Sequence, residues 1–154
     1  MPAPHPNPAP PDLRLHGNCR RVDWRELARL MREAKLGTKT ASQREAAFRA
    51  SPVRCFAYRG KTLVGVGRAI TDGLTNSAIY DVAVLPREQG TGVGRSVMAY
   101  LLERLPGTAV ILVSVAGKEG FYRRCGFRRL RTAMMQRDFT RPGVPDHPAY
   151  FDPA

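Results

Sequence analysis

Apolar and polar positions change their period several times along the chain, and each change predicts an element. Residues 1–11, "MPAPHPNPAPP", alternate proline with small or polar residues, so an extended, disordered arm is expected there. "DLRLH" reads as a short strand. In "VDWRELARLMREAKLG", Leu27, Leu30, Met31 and Ala34 recur at i, i+3, i+4 and i+7, the signature of a helix with one apolar face. Asp23 with Glu26 three residues on suits a capping box, and Gly37 ends the run. "ASQREAAFRAS" repeats the signal, with Ser42 as cap and Glu45 at its third helical position.

The period then drops to two. "VRCFAYRGKTLVGVGRAI" reads as two strands around a turn near Gly60, and "SAIYDVAVL" as a third strand that Pro86 closes. A helix follows over 92–105, with Val93, Val97, Leu101 and Leu105 on one stripe. "AVILVSV" is apolar almost throughout, which predicts a strand covered on both faces. "GKEGFYRRCG" reads as a short helix ended by Gly126, and "FRRLRTAMMQRDF" as a last strand. Residues 140–154 carry Pro142, Pro145, Pro148 and Pro153 and read as a loose tail. Strand 77–85, helix 92–105 and strand 109–115 form a β-α-β unit with parallel strands, so the earlier hairpin makes the sheet mixed. The expected organisation is one domain over 12–139, with an arm (1–11) and a tail (140–154).

Composition changes this picture little. With 43% hydrophobic and 25% charged residues, the chain reads as an ordinary globular domain, and no apolar run reaches the length of a membrane span. No metal site is expected: Cys19, Cys55 and Cys125 have no zinc spacing, and His5, His16 and His147 do not cluster with them. Unpaired thiols and the lack of an apolar leader core lead to the expectation of a cytoplasmic location. The net charge of +12 favours anionic partners, yet the 21 arginines and 4 lysines are scattered along the chain. No nucleic-acid recognition motif accompanies them, so nucleic acid is not an expected partner.

The informative stretch is "VLPREQGTGVGRSVMAYLLERL". Glycines at 90, 92 and 94 open a helix whose first N–H groups lack internal partners, and bare backbone there can cradle a phosphate or merely turn the chain. A P-loop would need Lys-Ser or Lys-Thr after the last glycine. A dinucleotide fingerprint would need another glycine interval and an acid after the next strand. Both patterns are missing. What does match is Q-x-x-G-x-G at Gln89, Gly92 and Gly94, after "DVAVLP" and some 30 residues before Phe121, Tyr122, Gly126 and Phe127 in "FYRRCGF". In this combination the chain resembles the GNAT superfamily of acyl-CoA-dependent N-acetyltransferases over roughly residues 12–138.

The resemblance implies an α/β fold of mixed type: a mostly antiparallel sheet, flanked by helices, whose parallel strands splay to bind CoA. It implies acetyl-CoA as cosubstrate and direct transfer to a primary amine, with a small molecule favoured over a protein lysine or N-terminus. A non-catalytic CoA-binding module is the alternative, and a homodimer is allowed. Backbone of Val82, Ala83 and Val84 would pair with the pantetheine arm. Backbone N–H groups of Gln89, Gly90, Thr91, Gly92, Val93, Gly94 and Arg95 would hold the pyrophosphate, with Arg123 and Arg124 near the nucleotide. Tyr122 would be the general acid for the departing thiolate, since a phenol stays protonated at neutral pH.

Asp81, an acid inside an apolar strand, is the candidate base if burial raises its pKa; it can equally hold a loop by hydrogen bonds. Asp72 and Glu119 are weaker candidates, and Tyr80 is placed to shape an acceptor pocket. Many members carry an asparagine where this chain has Val115 and Ala116, a departure that Lys118 or backbone would make good. Cys125, beside Tyr122, reads as a spectator thiol.

Overall fold

The computed structural model describes residues 10–107 and 109–136; the tail expected over 140–154 and most of the expected arm lie outside them. The described residues divide into two compact units, 10–113 and 114–136.

The larger unit carries β1 (Leu13–His16), α1 (Trp24–Glu33), α2 (Ala41–Ala50), β2 (Val53–Arg59), β3 (Thr62–Thr71), β4 (Asn76–Val84), a 3-10 turn (Pro86–Glu88), α3 (Val93–Leu102) and β5 (Ala109–Leu112). The strands form one sheet in chain order, antiparallel from β1 to β4 and parallel between β4 and β5. Neighbouring β2 residues point to opposite faces. Phe56 meets Trp24 of α1 and Phe48 of α2, with ring centroids 5.9 and 5.5 Å away. Ala57 points the other way, towards Gly65 and the α3 side. The sheet therefore has α1 and α2 on one face and α3 on the other, and Leu27, Leu30, Met31, Phe48, Phe56, Val66, Val93, Val97 and Leu101 are fully or almost fully buried.

Local chemistry explains where the helices start. Asp23 caps α1 by accepting from the N–H groups of Arg25 and Glu26, but the reciprocal bond of a capping box is not made. The Glu26 carboxylate instead accepts from Leu63 N–H of β3 at 3.1 Å, a tertiary partner that local spacing does not encode. For α2 the cap is Thr40 rather than Ser42: Thr40 and Gln43 form a complete box, and the helix begins at Ala41.

The C-terminal strands differ from expectation. β5 stops at Leu112, and Ile111 and Val113 are 55% and 64% exposed instead of covered on both faces. Among the described residues β5 pairs only with β4, and an apolar run does not reveal whether a second neighbour exists. Residues 127–136 contain no strand, so the last strand expected there is absent from the described residues. The smaller unit has α4 (Glu119–Arg124), closed by Phe127 N–H donating to Tyr122 C=O and by Gly126 at φ +90°.

Candidate active site

The site in the larger unit begins with a fault in β4. Arg68 pairs with Tyr80 and Val66 with Ala83, so Asp81 and Val82 together face the single residue Gly67. This is a β-bulge. Asp81 takes φ +54°, a left-handed conformation that aspartate tolerates better than most side chains. Pairing with β5 ends at Ile79–Leu112, so beyond it the β5 side of β4 has no strand partner among the described residues. Leu85 N–H donates to Val64 C=O of β3. By strand alternation the backbone groups of Val84, and of Val82 before it, turn to the open side, while those of Ala83 turn to β3.

Asp81 does not lie in the apolar surroundings that its neighbours in sequence suggest. Its Oδ1 accepts from Arg44 Nη1 at 3.1 Å and its Oδ2 from Arg68 Nε at 2.6 Å. Arg44 also donates to Leu36 C=O at 2.6 Å, and Arg68 to Ser51 Oγ at 3.2 Å. The Arg44 side chain is only 2% exposed. Burial lowers its pKa, the Asp81 charge opposes that shift, and the nearby Arg68 charge adds to it. Arg68 also stands 5.1 Å over the ring of Tyr80, which is exposed on the same face.

The glycine loop follows directly. Gln89 Nε2 donates to Val84 C=O at 3.3 Å, so the first motif residue ties the loop to the open end of β4. Gly90 and Gly92 adopt φ +81° and +95°, which only glycine takes easily. Gly94 is not among the positive-φ glycines; it lies in the first turn of α3. The helices α1 and α2 are capped by side chains, whereas α3 is not. Its first N–H groups and the positive end of its dipole are thus left for an anion. Thr91 and Arg95 are exposed beside them. A Cβ on Gly90 would meet nothing within 4 Å, so the loop is open to solvent there, whereas one on Gly92 would touch Pro10 at 3.6 Å.

The smaller unit holds Tyr122, Arg123 and Arg124 on α4. The Tyr122 ring packs edge-on against Phe121 and Phe127, with centroids 5.0 and 6.2 Å away. Burial pushes its phenol pKa up, and the Cys125 charge adds to that. Arg123 and Arg124 are exposed. Of the weaker candidates, Asp72 accepts from the backbone N–H groups of Leu74, Thr75 and Asn76, which hold its pKa down at about 2; it shapes a turn. Glu119 is the first residue of α4.

Four further residues shape the site, each with a faint signal in the sequence. Arg44 lies one helical turn before Phe48, the one bulky apolar residue of α2, and that shared face was the available signal for its burial. Arg68 interrupts an apolar strand just as Asp81 does, and the two acid-base interruptions were a pairing signal. Gly65 and Gly67 alternate within β3, a spacing that marks close approach of another element. Cβ atoms there would come within 2.7 Å of Val93 and 2.9 Å of Val97 and Leu101, so these glycines seat α3 against the sheet. A cavity of about 210 Å³ lined by Glu26, Arg29, Glu33, Thr62, Leu63, Leu85 and Arg87 includes none of the predicted site residues. Among the described residues no group of His, Cys, Asp and Glu could hold a metal, and no helix is long and apolar enough to cross a membrane.

Comparison with known proteins agrees with this geometry. Residues 51–129 match the model of the acetyltransferase (GNAT) domain. Serotonin N-acetyltransferase 2, chloroplastic, of Oryza sativa subsp. japonica is 40% identical over 67 residues, 42% of this chain and 34% of that protein. GCN5-related N-acetyltransferase 1, chloroplastic, of Arabidopsis thaliana is 37% identical over 67 residues, with the same coverage. The chain thus spans about a third of the length of these curated relatives. A probable acetyltransferase from methicillin-resistant Staphylococcus aureus superposes with a TM-score of 0.72 at 21% identity, covering 82% of this chain and 99% of that one. A GNAT-family acetyltransferase from Streptococcus pneumoniae TIGR4 gives 0.65 at 26% identity, covering 82% and 97%.

Proposed function

Because the chain belongs to the GNAT acetyltransferase family, we infer that it transfers an acetyl group from acetyl-CoA to the primary amine of a small molecule. The observation that carries this reading is the join between the open end of β4 and an uncapped helix start, made by the Gln89–Val84 hydrogen bond. The donors present fit an elongated thioester with a pyrophosphate. The N–H groups of Gln89 and Thr91 already donate to Pro86 and Glu88 C=O, so those of Gly90 and of Gly92 to Arg95 hold the pyrophosphate, and the open backbone of Val82 and Val84 holds the pantetheine arm. Acetyl-CoA supplies an activated acyl group.

This chain's residues then have two tasks. A backbone N–H of the 82–84 segment polarises the thioester carbonyl, a contribution typically of a few kcal/mol. Tyr122, whose pKa lies above the ordinary phenol value, remains protonated at neutral pH and gives its proton to the departing thiolate. The amine loses its proton to solvent water rather than to Asp81, both of whose oxygens already accept from guanidiniums. Among acceptors, an arylalkylamine is favoured. The exposed Tyr80 ring offers a stacking face near the bulge, and the rice relative carries serotonin in its name.

Thermal unfolding with and without acetyl-CoA tests the reading first. At 100 times the dissociation constant the ligand adds about 2.7 kcal/mol, a rise in Tm of roughly 5–10 °C for a domain of this size. A rise that ATP does not reproduce, followed by thiol release with a 2-arylethylamine, supports it. No rise at saturating acetyl-CoA overturns it.

A further inference from the structure

Asp81 combines three features that a proton acceptor does not need. It takes a left-handed backbone conformation, it sits at the bulge, and both carboxylate oxygens are bound by guanidiniums. Its two partners come from different elements. Arg44 reaches from α2 and also holds Leu36 C=O in the α1–α2 connection, and Arg68 reaches across from β3 and also holds Ser51 at the end of α2. One carboxylate thus stands between two guanidiniums whose side chains are 2% and 13% exposed. Arg44 Nε is buried with no hydrogen-bond partner among the described residues, so Asp81 is its main electrostatic compensation.

We propose that Arg44, Asp81 and Arg68 form a clamp of positioning residues that locks the β4 bulge and so sets the direction of Val82–Val84, the backbone that receives the thioester arm. The clamp joins α2, the α1–α2 connection, β3 and β4 through one carboxylate. Left-handed backbone at Asp81 reverses the strand's alternation at a single point, and the two ion pairs prevent it from relaxing into regular pairing. Asp81 is a fixed counter-ion in this arrangement and moves no proton. The assignment rests on the transferase reading for its consequence in catalysis, though not for the clamp itself.

Arg68→Gln, Arg68→Lys and Asp81→Asn test it. Amide hydrogen exchange reads the clamp without turnover: exchange at Ala83, whose backbone turns to β3, becomes about 10-fold faster in Arg68→Gln, as expected when a local opening is eased. Misplacement of reacting groups by about 1 Å costs up to roughly 100-fold, so Arg68→Gln lowers kcat by about 10- to 100-fold, and Arg68→Lys restores part of it. Asp81→Asn keeps a side chain that tolerates left-handed backbone. It removes both ion pairs, so kcat falls at least as far as in Arg68→Gln, but the shape of the pH–rate profile is unchanged, whereas loss of a general base removes the acidic limb.

Unchanged exchange at Ala83 in Arg68→Gln overturns the clamp. Loss of the acidic limb in Asp81→Asn overturns the counter-ion role. Failure of the unaltered chain to bind acetyl-CoA is a separate result that overturns only the transferase reading.

Discussion

Gly65 of β3 lies against Val93, the first residue of α3, so closely that a Cβ on Gly65 would stand 2.7 Å from Val93 Cγ1. Val93 is fully buried, and a valine in a helix has essentially one rotamer, so it cannot turn aside. Gly65→Ala must therefore push the start of α3, and with it the glycine loop, away from the sheet. We expect a loss of about 1–3 kcal/mol by urea unfolding, as for other overpacked cores, together with weaker acetyl-CoA binding. Adding Val93→Ala removes the clashing methyl and recovers part of both, a non-additive outcome that independent sites would not give.

Tyr122→Phe keeps the ring that packs between Phe121 and Phe127 and removes only the hydroxyl. If the phenol protonates the thiolate, kcat falls by about 100-fold or more while the KM for acetyl-CoA changes little. Steady-state kinetics with both substrates varied checks this. An unchanged kcat would reduce Tyr122 to a packing residue.

Arg44→Met keeps much of the side chain's volume and leaves Asp81 with Arg68 alone. Removing one partner of a buried pair typically costs 3–5 kcal/mol. Because Asp81 keeps its second guanidinium, we expect about 2–3 kcal/mol, read from the urea midpoint. A variant as stable as the parent would mean that burying the guanidinium had cost as much as the pair returned.

Asp72 yields a pH prediction. Backbone N–H groups of the 72–76 turn stabilise its ionised form and lower its pKa from 3.8 to about 2. The folded chain therefore binds fewer protons there than the unfolded chain. The contribution is complete above the unfolded value, near pH 4, and is lost as pH falls through about 2. Acid unfolding of the parent and of Asp72→Ala should run apart near neutrality and converge at the acid end. A constant offset down to pH 2 would contradict the assignment.

How much of this was legible in the chain follows from the range of each interaction. Helices α1 and α3, the β2–β3 turn at Gly60 and the order of elements arise from periodicity and turn chemistry within a few residues, and they lie close to where the pattern places them. The glycine-rich turn from Gln89 into α3 was likewise readable, because glycines at positive φ before a helix start are a property of contiguous backbone. The caps were less so. Ser42 and Thr40 both suit the N-cap of α2, and the choice falls to Thr40, whose partner Gln43 completes the box.

The β5 run "AVILVSV" shows the limit from the other side, since its apolar content says what the strand could bury but not that Ile111 and Val113 would stay exposed. Sequence alone determined the family, the glycine loop and the succession of helices and strands, because each is written in contiguous residues. Only the tertiary structure decided that Asp81 sits in a left-handed bulge between Arg44, 37 positions before it, and Arg68, 13 before it. Electrostatic pairing depends on distance through space, and the chain must fold before those three side chains have a distance at all.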